Sequence, residues 1–149
     1  MAWKEKDLVT DWITPVRISN GNDITLGLIQ SSIEEECAKN GIPVAFKEEM
    51  IKVGIVFSSQ METVLQMYHP QKENEYLRFV IRLKHMGTNA FVNVYNMGGS
   101  KNYRMVNKAD ADSKIAKIRM NLFGGKAALE QEEQYYYILK ECLKKALGD

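Results

Sequence analysis

The sequence predicts an α+β fold: an antiparallel β-meander of about five to six strands, with a helix in the N-terminal half and a long C-terminal helix packed on one face. Two observations carry this prediction. Apolar and polar residues alternate through the middle of the chain, and apolar residues recur at helical spacing on either side of it. The chain has 149 residues, of which 45% are hydrophobic and 26% charged. We therefore expect one domain over residues 1–149.

The central hairpin is expected over residues 75–97. Met86-Gly87 separates two runs of strand-forming residues, and a short glycine-containing break between such runs indicates an antiparallel pair. Basic side chains occupy most of one parity of the first run. The other parity is apolar and should face the helices; it comprises Leu77, Phe79, Ile81 and Leu83.

Helical spacing predicts two helices. Asp23 is the expected N-cap of a helix that runs to about Asn40, where Gly41 is a typical stop. The apolar face of this helix is Ile24, Leu28, Ile29, Ile33 and Cys37. A longer helix is expected from about Lys126 to Leu147. Its acidic residues lie toward the N-terminus and its lysines toward the C-terminus, as the helix macrodipole favours.

The remaining elements are shorter. Residues 1–22 are expected to be largely irregular, with a helical turn within Asp7–Ile13 and no assigned role for Trp3 and Trp12. Residues 110–122 fit both strand and helix periodicity, so both assignments stay open. Further strands are expected at Val16–Ile18, Ile51–Phe57, Met61–Tyr68 and Tyr103–Val106.

Composition limits the compartment and the partners only broadly. The formal net charge is +1, so overall charge favours no class of partner. The sequence has no apolar run of about 18 residues, and its first residues are charged; we therefore expect neither a membrane span nor a secretory signal. The cytoplasm is the expected location, with Cys37 and Cys142 as reduced, partly buried thiols. A Cys37–Cys142 disulfide would require the two helices to lie side by side.

Motifs for catalysis or cofactor binding are weak. The two histidines and two cysteines lie on different elements without metal-ligand spacing, so no metal or other cofactor is expected. No nucleophile elbow is present, and a non-catalytic protein is the leading expectation. Gly124, Gly125 and Lys126 open the long helix, where free backbone N–H groups and a lysine could hold an anion. The alternative is a turn that needs glycine for its backbone freedom alone.

The most suggestive surface feature is basic. Six cations fall on the polar parities of the expected strands, and Phe91, Tyr95 and Tyr76 could share their face. Cations interleaved with aromatic side chains on a sheet are typical of platforms for single-stranded nucleic acids. Glu62 and Glu75 could neutralise such a face by cross-strand pairing. The candidate face for an anionic partner comprises Lys52, Arg78, Arg82, Lys84, Lys117 and Arg119.

Three functional classes follow from these patterns. The leading hypothesis is a non-catalytic ligand-binding or protein-interaction module, with another protein or a second copy of the chain as its partner. The alternative is a nucleic-acid-binding domain that uses the basic sheet face, and an enzyme of unknown class is third. The helix–meander–helix order resembles helix-grip and secretion-chaperone-like domains in topology, and topology alone does not imply function.

Overall fold

The computed structural model describes residues 3–54, 60–72, 78–97 and 126–148. Five strands form one antiparallel sheet, and two helices pack together beside it. The strands are β1 (Val16–Ile18), β2 (Ala45–Val53), β3 (Gln60–Tyr68), β4 (Phe79–Met86) and β5 (Asn89–Asn96). The helices are α1 (Leu26–Lys39) and α2 (Lys126–Ala146), and 3-10 turns occur at Glu5–Asp7 and Pro70–Lys72. The predicted α+β class, with both helices on one face, is confirmed.

The sheet is a four-strand meander with the first strand added at its far edge. The strand order is β1-β5-β4-β3-β2, so β1 pairs with the last strand of the meander. The β4–β5 hairpin turns at Gly87, whose φ of +60° lies in the left-handed region that glycine adopts without strain. Gly21 approaches the same hairpin so closely that an added Cβ would lie 2.7 Å from the Cβ of Ala90.

The main core lies between the sheet and the helices. Phe79 and Ile81 are buried there and Leu83 packs against them, as the alternation predicts. The equivalent positions of β3 and β5 contribute Leu65, Met67, Val92 and Val94. α1 contributes Ile29, Ile33 and Cys37, whereas Leu28, expected on the same face, is 53% exposed. α2 contributes Leu139, Cys142 and Leu143.

A chain of aromatic contacts fills one end of the space between sheet and helices. Trp12 stacks on Phe79, with ring centroids 3.8 Å apart, and Phe79 lies 5.8 Å from Tyr136. Tyr136 meets Tyr135 edge-on, and Tyr135 contacts His69. The Tyr135 hydroxyl donates to the Pro43 carbonyl oxygen at 2.6 Å. These contacts join the N-terminal segment, the sheet and α2, and they give Trp12 a packing role.

Several element boundaries differ from expectation. α1 is capped by Thr25, whose side chain accepts a hydrogen bond from the Leu28 amide, and not by Asp23. β2 begins at Ala45, because all nine of its residues pair with β3. The helical turn lies at Glu5–Asp7, before the expected Asp7–Ile13. The strand at Tyr103–Val106, the choice at residues 110–122, and Leu77 lie outside the described residues.

Candidate binding face

The face of the sheet opposite the helices carries three of the cations that the sequence singled out, Arg78, Arg82 and Lys84. Cross-strand register places Asn93 opposite Arg82, and Phe91 opposite Lys84. Val80 pairs with Gln66 and also lies opposite Tyr95. Because side chains of paired residues point to the same side of a sheet, these residues share one surface. We call it the strap face, after the segment that crosses it.

The strap consists of residues 3–11 and spans the strap face from one side of the meander to the other. Lys4 forms a parallel bridge with Lys52 on β2, and Asp11 forms an antiparallel bridge with Tyr95 on β5. Trp3 and Leu8 of the strap pack on a second apolar cluster made of Ile51, Val64 and Val80. These contacts give Trp3 a structural role: it covers apolar residues that α1 and α2 do not reach.

Arg82 joins the strap to the sheet. Its Nε donates to Glu62 Oε2 at 2.7 Å and its Nη2 donates to Glu62 Oε1 at 3.0 Å, which is a bidentate pair. The same Nη2 also donates to Glu5 Oε2 in the strap. Arg82 is only 9% exposed, and its positive charge is paired with these two carboxylates. The hydrogen bond to Glu62 raises the pKa of Arg82, and the hydrogen bond from Arg82 lowers the pKa of Glu5.

Arg78 is held by polar and aromatic neighbours on the same face. Its Nη1 donates to Gln66 Oε1, and its guanidinium carbon lies 4.9 Å from the centroid of the Tyr68 ring. Gln66 and Tyr68 are both buried. A guanidinium over an aromatic ring is attracted by the ring quadrupole, so Tyr68 helps to fix the position of Arg78.

Two exposed cations and an aromatic side chain form a row across three strands. Phe91 on β5 pairs with Arg17 on β1 and with Lys84 on β4, so the aromatic side chain stands between two cations. Arg17 and Lys84 are exposed, and Phe91 is half-buried. With neighbouring strands about 4.8 Å apart, the backbones that carry the two cations are separated by about 10 Å. We call Arg17, Phe91 and Lys84 the cation–aromatic row.

Of the six cations predicted to form one face, the structure places three on the strap face and one on the other face of the sheet. Arg78, Arg82 and Lys84 share the strap face, but Lys52 lies on the helix-side parity of β2, because Ile51 beside it points to the strap face. Lys117 and Arg119 lie outside the described residues, and so do Gly124 and Gly125. Lys126 is the first residue of α2, and its side chain is not described.

Arg17 also lies on this surface, but the sequence analysis did not include it among the candidate residues. The alternation within Val16–Ile18, with Arg17 between two apolar residues, could have indicated it. Glu62 pairs with Arg82, one cation of this face, and Glu75 is outside the described ranges. Phe91 and Tyr95 are on the predicted face.

Both histidines form hydrogen bonds with backbone groups. His69 Nδ1 accepts from the Gln71 amide at 3.1 Å, and His85 Nε2 donates to the Ile24 carbonyl oxygen at 3.1 Å. Within residues 3–54, 60–72, 78–97 and 126–148, no group of three or more His, Cys, Asp or Glu side chains could hold a metal ion. The helices in those ranges include none long and apolar enough to cross a membrane.

Comparison with known proteins does not assign the chain to a family. No family model, no curated protein and no solved structure matches it.

Proposed function

We propose that this chain is a non-catalytic protein-interaction domain of the cytoplasm, which binds an acidic segment of its partner on the strap face. The cation–aromatic row is the observation that carries this proposal. Two exposed cations flank a half-buried aromatic ring, and this arrangement suits a ligand with carboxylates on either side of an apolar or aromatic group.

The strap supports the proposal because it already contacts the strap face through a carboxylate and apolar side chains. It places a carboxylate, Glu5, on Arg82, and it buries the apolar side chains of Trp3 and Leu8 beside that contact. The strap face therefore already accommodates a carboxylate with apolar anchors beside it. The row lies next to this contact, since the positive charge of Lys84 helps to lower the pKa of Glu5.

The aromatic chain between sheet and helices favours a protein partner over a small ligand held inside the fold. Trp12, Phe79, Tyr136 and Tyr135 occupy that space and contact one another. The partner can be a different protein or a second copy of the chain. Sedimentation over a range of concentrations distinguishes these cases, because only self-association depends on the concentration of the chain alone.

A labelled acidic peptide tests the proposal. The probe is a synthetic fluorescein-labelled peptide with glutamates on both sides of a central tryptophan, and its binding is followed by anisotropy. We expect Arg17→Ala/Lys84→Ala to weaken binding by roughly 2- to 30-fold, as two exposed ion pairs of about 0.2–1 kcal/mol each imply.

The matched control is Lys39→Ala/Lys52→Ala, which removes the same charge from exposed positions on α1 and on the helix side of β2. This control should retain binding close to wild type. Equal losses in the two double variants, or no binding by the wild-type chain, would reject the strap face as the site.

Single-stranded nucleic acid is the second candidate, and the presence of both Phe91 and Tyr95 on the strap face favours it. Stacking of a base on an aromatic side chain contributes about 1–3 kcal/mol. A labelled oligothymidylate should then bind at about 50 mM salt, weaken steeply as salt rises, and bind less tightly to Phe91→Ala. Arg17→Ala/Lys84→Ala should reduce the salt dependence. This double variant is preferable to a replacement of Arg82, because the loss of Arg82 would leave Glu62 without its bidentate partner.

A further inference from the structure

The strap contacts the strap face through three side chains at a fixed spacing. Trp3 and Leu8 pack on the second apolar cluster, and Glu5 between them binds Arg82. The strap therefore presents an aromatic residue, then a carboxylate, then an aliphatic residue along one short segment. Apolar anchors of this kind supply most of the contact energy of a docked segment, and a charge between them fixes its register.

The site beneath the strap is built by other parts of the chain. The second apolar cluster takes Ile51, Val64 and Val80 from three neighbouring strands, and all three are fully buried. Arg82 is fixed by its bidentate pair with Glu62, to which the strap contributes nothing. Removal of the strap would therefore uncover an apolar surface with a positioned guanidinium beside it.

The strap itself is held by few buried contacts. Its 3-10 turn at Glu5–Asp7 has no buried residue, and Val9 after the turn is 79% exposed. The Leu8 amide donates to the Glu5 carbonyl oxygen at 3.0 Å, a bond that lies within the strap and does not tie it to the sheet. Segments with few buried contacts open locally at a low cost in free energy.

The end of the strap nearest β1 is bonded to the sheet. The Asn96 amide donates to the Thr10 carbonyl oxygen, and the Trp12 amide donates to the Val94 carbonyl oxygen, both at 2.8 Å. This part of the chain can therefore stay on β5 while residues 3–9 leave the strap face.

We propose that residues 3–9 are an internal competitor for a recognition site on the strap face, formed by the second apolar cluster and Arg82. The site takes a segment of a partner protein that carries an aromatic residue, a carboxylate and an aliphatic residue at the spacing of Trp3, Glu5 and Leu8. That segment displaces residues 3–9. The identity of the occupant as a partner protein rests on the proposed function, whereas the site beneath the strap does not.

A peptide copy of the strap tests the site on the full chain. The probe is a synthetic fluorescein-labelled peptide with the sequence of residues 3–9, and its binding is followed by anisotropy. The opened chain is Trp3→Ala/Leu8→Ala, which removes both apolar anchors of the strap and leaves Arg82 in place. A competitor bound in about 90% of the molecules raises the apparent Kd tenfold. We therefore expect the opened chain to bind the probe about tenfold more tightly than wild type.

Two controls accompany this comparison. Val9→Ala shortens an exposed apolar side chain of the strap and should bind the probe as wild type does. The Glu5→Gln form of the probe should bind the opened chain less tightly, because it lacks the carboxylate that pairs with Arg82. A tethered segment acts at an effective concentration of about 1 mM. Equal affinities of the opened chain and wild type, or no binding by the opened chain at about 1 mM probe, would overturn the site.

Amide hydrogen exchange of the wild-type chain tests the release of the strap without any variant. The Leu8 amide should exchange faster than the Trp12 and Asn96 amides, because an isolated 3-10 turn protects its amides poorly once it leaves the sheet. Equal protection of the three amides would overturn the release of residues 3–9.

The same titrations separate this inference from the proposed function. If the strap probe binds the opened chain while the glutamate–tryptophan peptide does not bind wild type, the proposed function is rejected and the site beneath the strap is supported. Sedimentation of the opened chain without peptide tests the remaining occupant. Self-association that depends on its concentration would overturn the partner segment in favour of the strap of a second copy.

Discussion

Phe79 connects three parts of the molecule through one side chain. It is 1% exposed, it stacks with Trp12 from the N-terminal segment, and it contacts Tyr136 from α2. The alternation of β4 is sufficient to assign its orientation, because a strand with one buried face repeats every two residues. Its particular partners could not be read from the sequence, since Trp12 and Tyr136 approach it only through the tertiary fold.

Truncation of Phe79 should be one of the more damaging single changes in the sheet. Phe79→Ala removes a buried ring and leaves a cavity between Trp12 and Tyr136, so the free energy of unfolding should fall by about 3–5 kcal/mol. Urea denaturation of the purified variant measures the change. Phe91→Ala is the matched control, because Phe91 is half-buried on the other face and should cost less. Equal losses from the two variants would mean that the buried and exposed parities are misassigned.

Glu5 provides a pH-dependent contact between the strap and Arg82. The hydrogen bond from Arg82 lowers the pKa of Glu5 below its ordinary value of 4.5. A carboxyl group with a lowered folded-state pKa contributes stability above its unfolded pKa and loses that contribution as pH falls through the folded pKa. The difference in unfolding free energy between wild type and Glu5→Gln should therefore be largest near neutral pH and shrink in acid below about 4.5. Urea denaturation across this range checks it, and a constant difference would contradict the contact.

At the scale of the element, α1 shows what local sequence can and cannot decide. The stop at Asn40 and Gly41 is as expected, and Gly41 has a φ of +67°. The start was misplaced by two positions, because Asp23 and Thr25 are both favoured N-cap residues. The preceding loop is held by tertiary hydrogen bonding, since the Gly21 amide donates to the Thr88 carbonyl oxygen at 2.8 Å. That contact with the β4–β5 turn has no local signature in the sequence.

Removal of the cap tests the observed start of α1. Thr25→Ala deletes the oxygen that accepts from the Leu28 amide at 3.1 Å, so it should lower the free energy of unfolding by about 0.5–2 kcal/mol. Asp23→Ala is the matched control and should have a smaller effect, because Asp23 precedes the cap. Thermal or urea denaturation of both variants gives the comparison. A larger loss from Asp23→Ala than from Thr25→Ala would reassign the cap to Asp23.

At the scale of the whole molecule, the strap is the feature that sequence patterns could not predict. Trp3 and Leu8 have neither strand nor helix spacing. The strap is held by contacts with residues that are distant in the sequence. Glu5 meets Arg82 across 77 positions, and Lys4 meets Lys52 on the edge of β2. Alternation correctly assigned Arg82 to the face away from the helices. It could not show that the strap's own carboxylate covers that charge.

The strap also sets the charge that the strap face presents to a partner, which leads to a last prediction. Glu5→Gln removes the strap carboxylate from Arg82 while Glu62 still holds the guanidinium through two hydrogen bonds. Glu48→Gln makes the same change in net charge at an exposed position on the helix-side parity of β2. If the acidic peptide binds on the strap face, Glu5→Gln should tighten its binding more than Glu48→Gln does at about 0.1 M salt. The reason is that charges beyond a Debye length of about 10 Å at 0.1 M salt are largely screened.

Anisotropy titrations of the two variants measure this difference in peptide binding. An equal gain in both would indicate a response to net charge alone, and weaker binding by Glu5→Gln would show that the strap carboxylate does not compete with the partner.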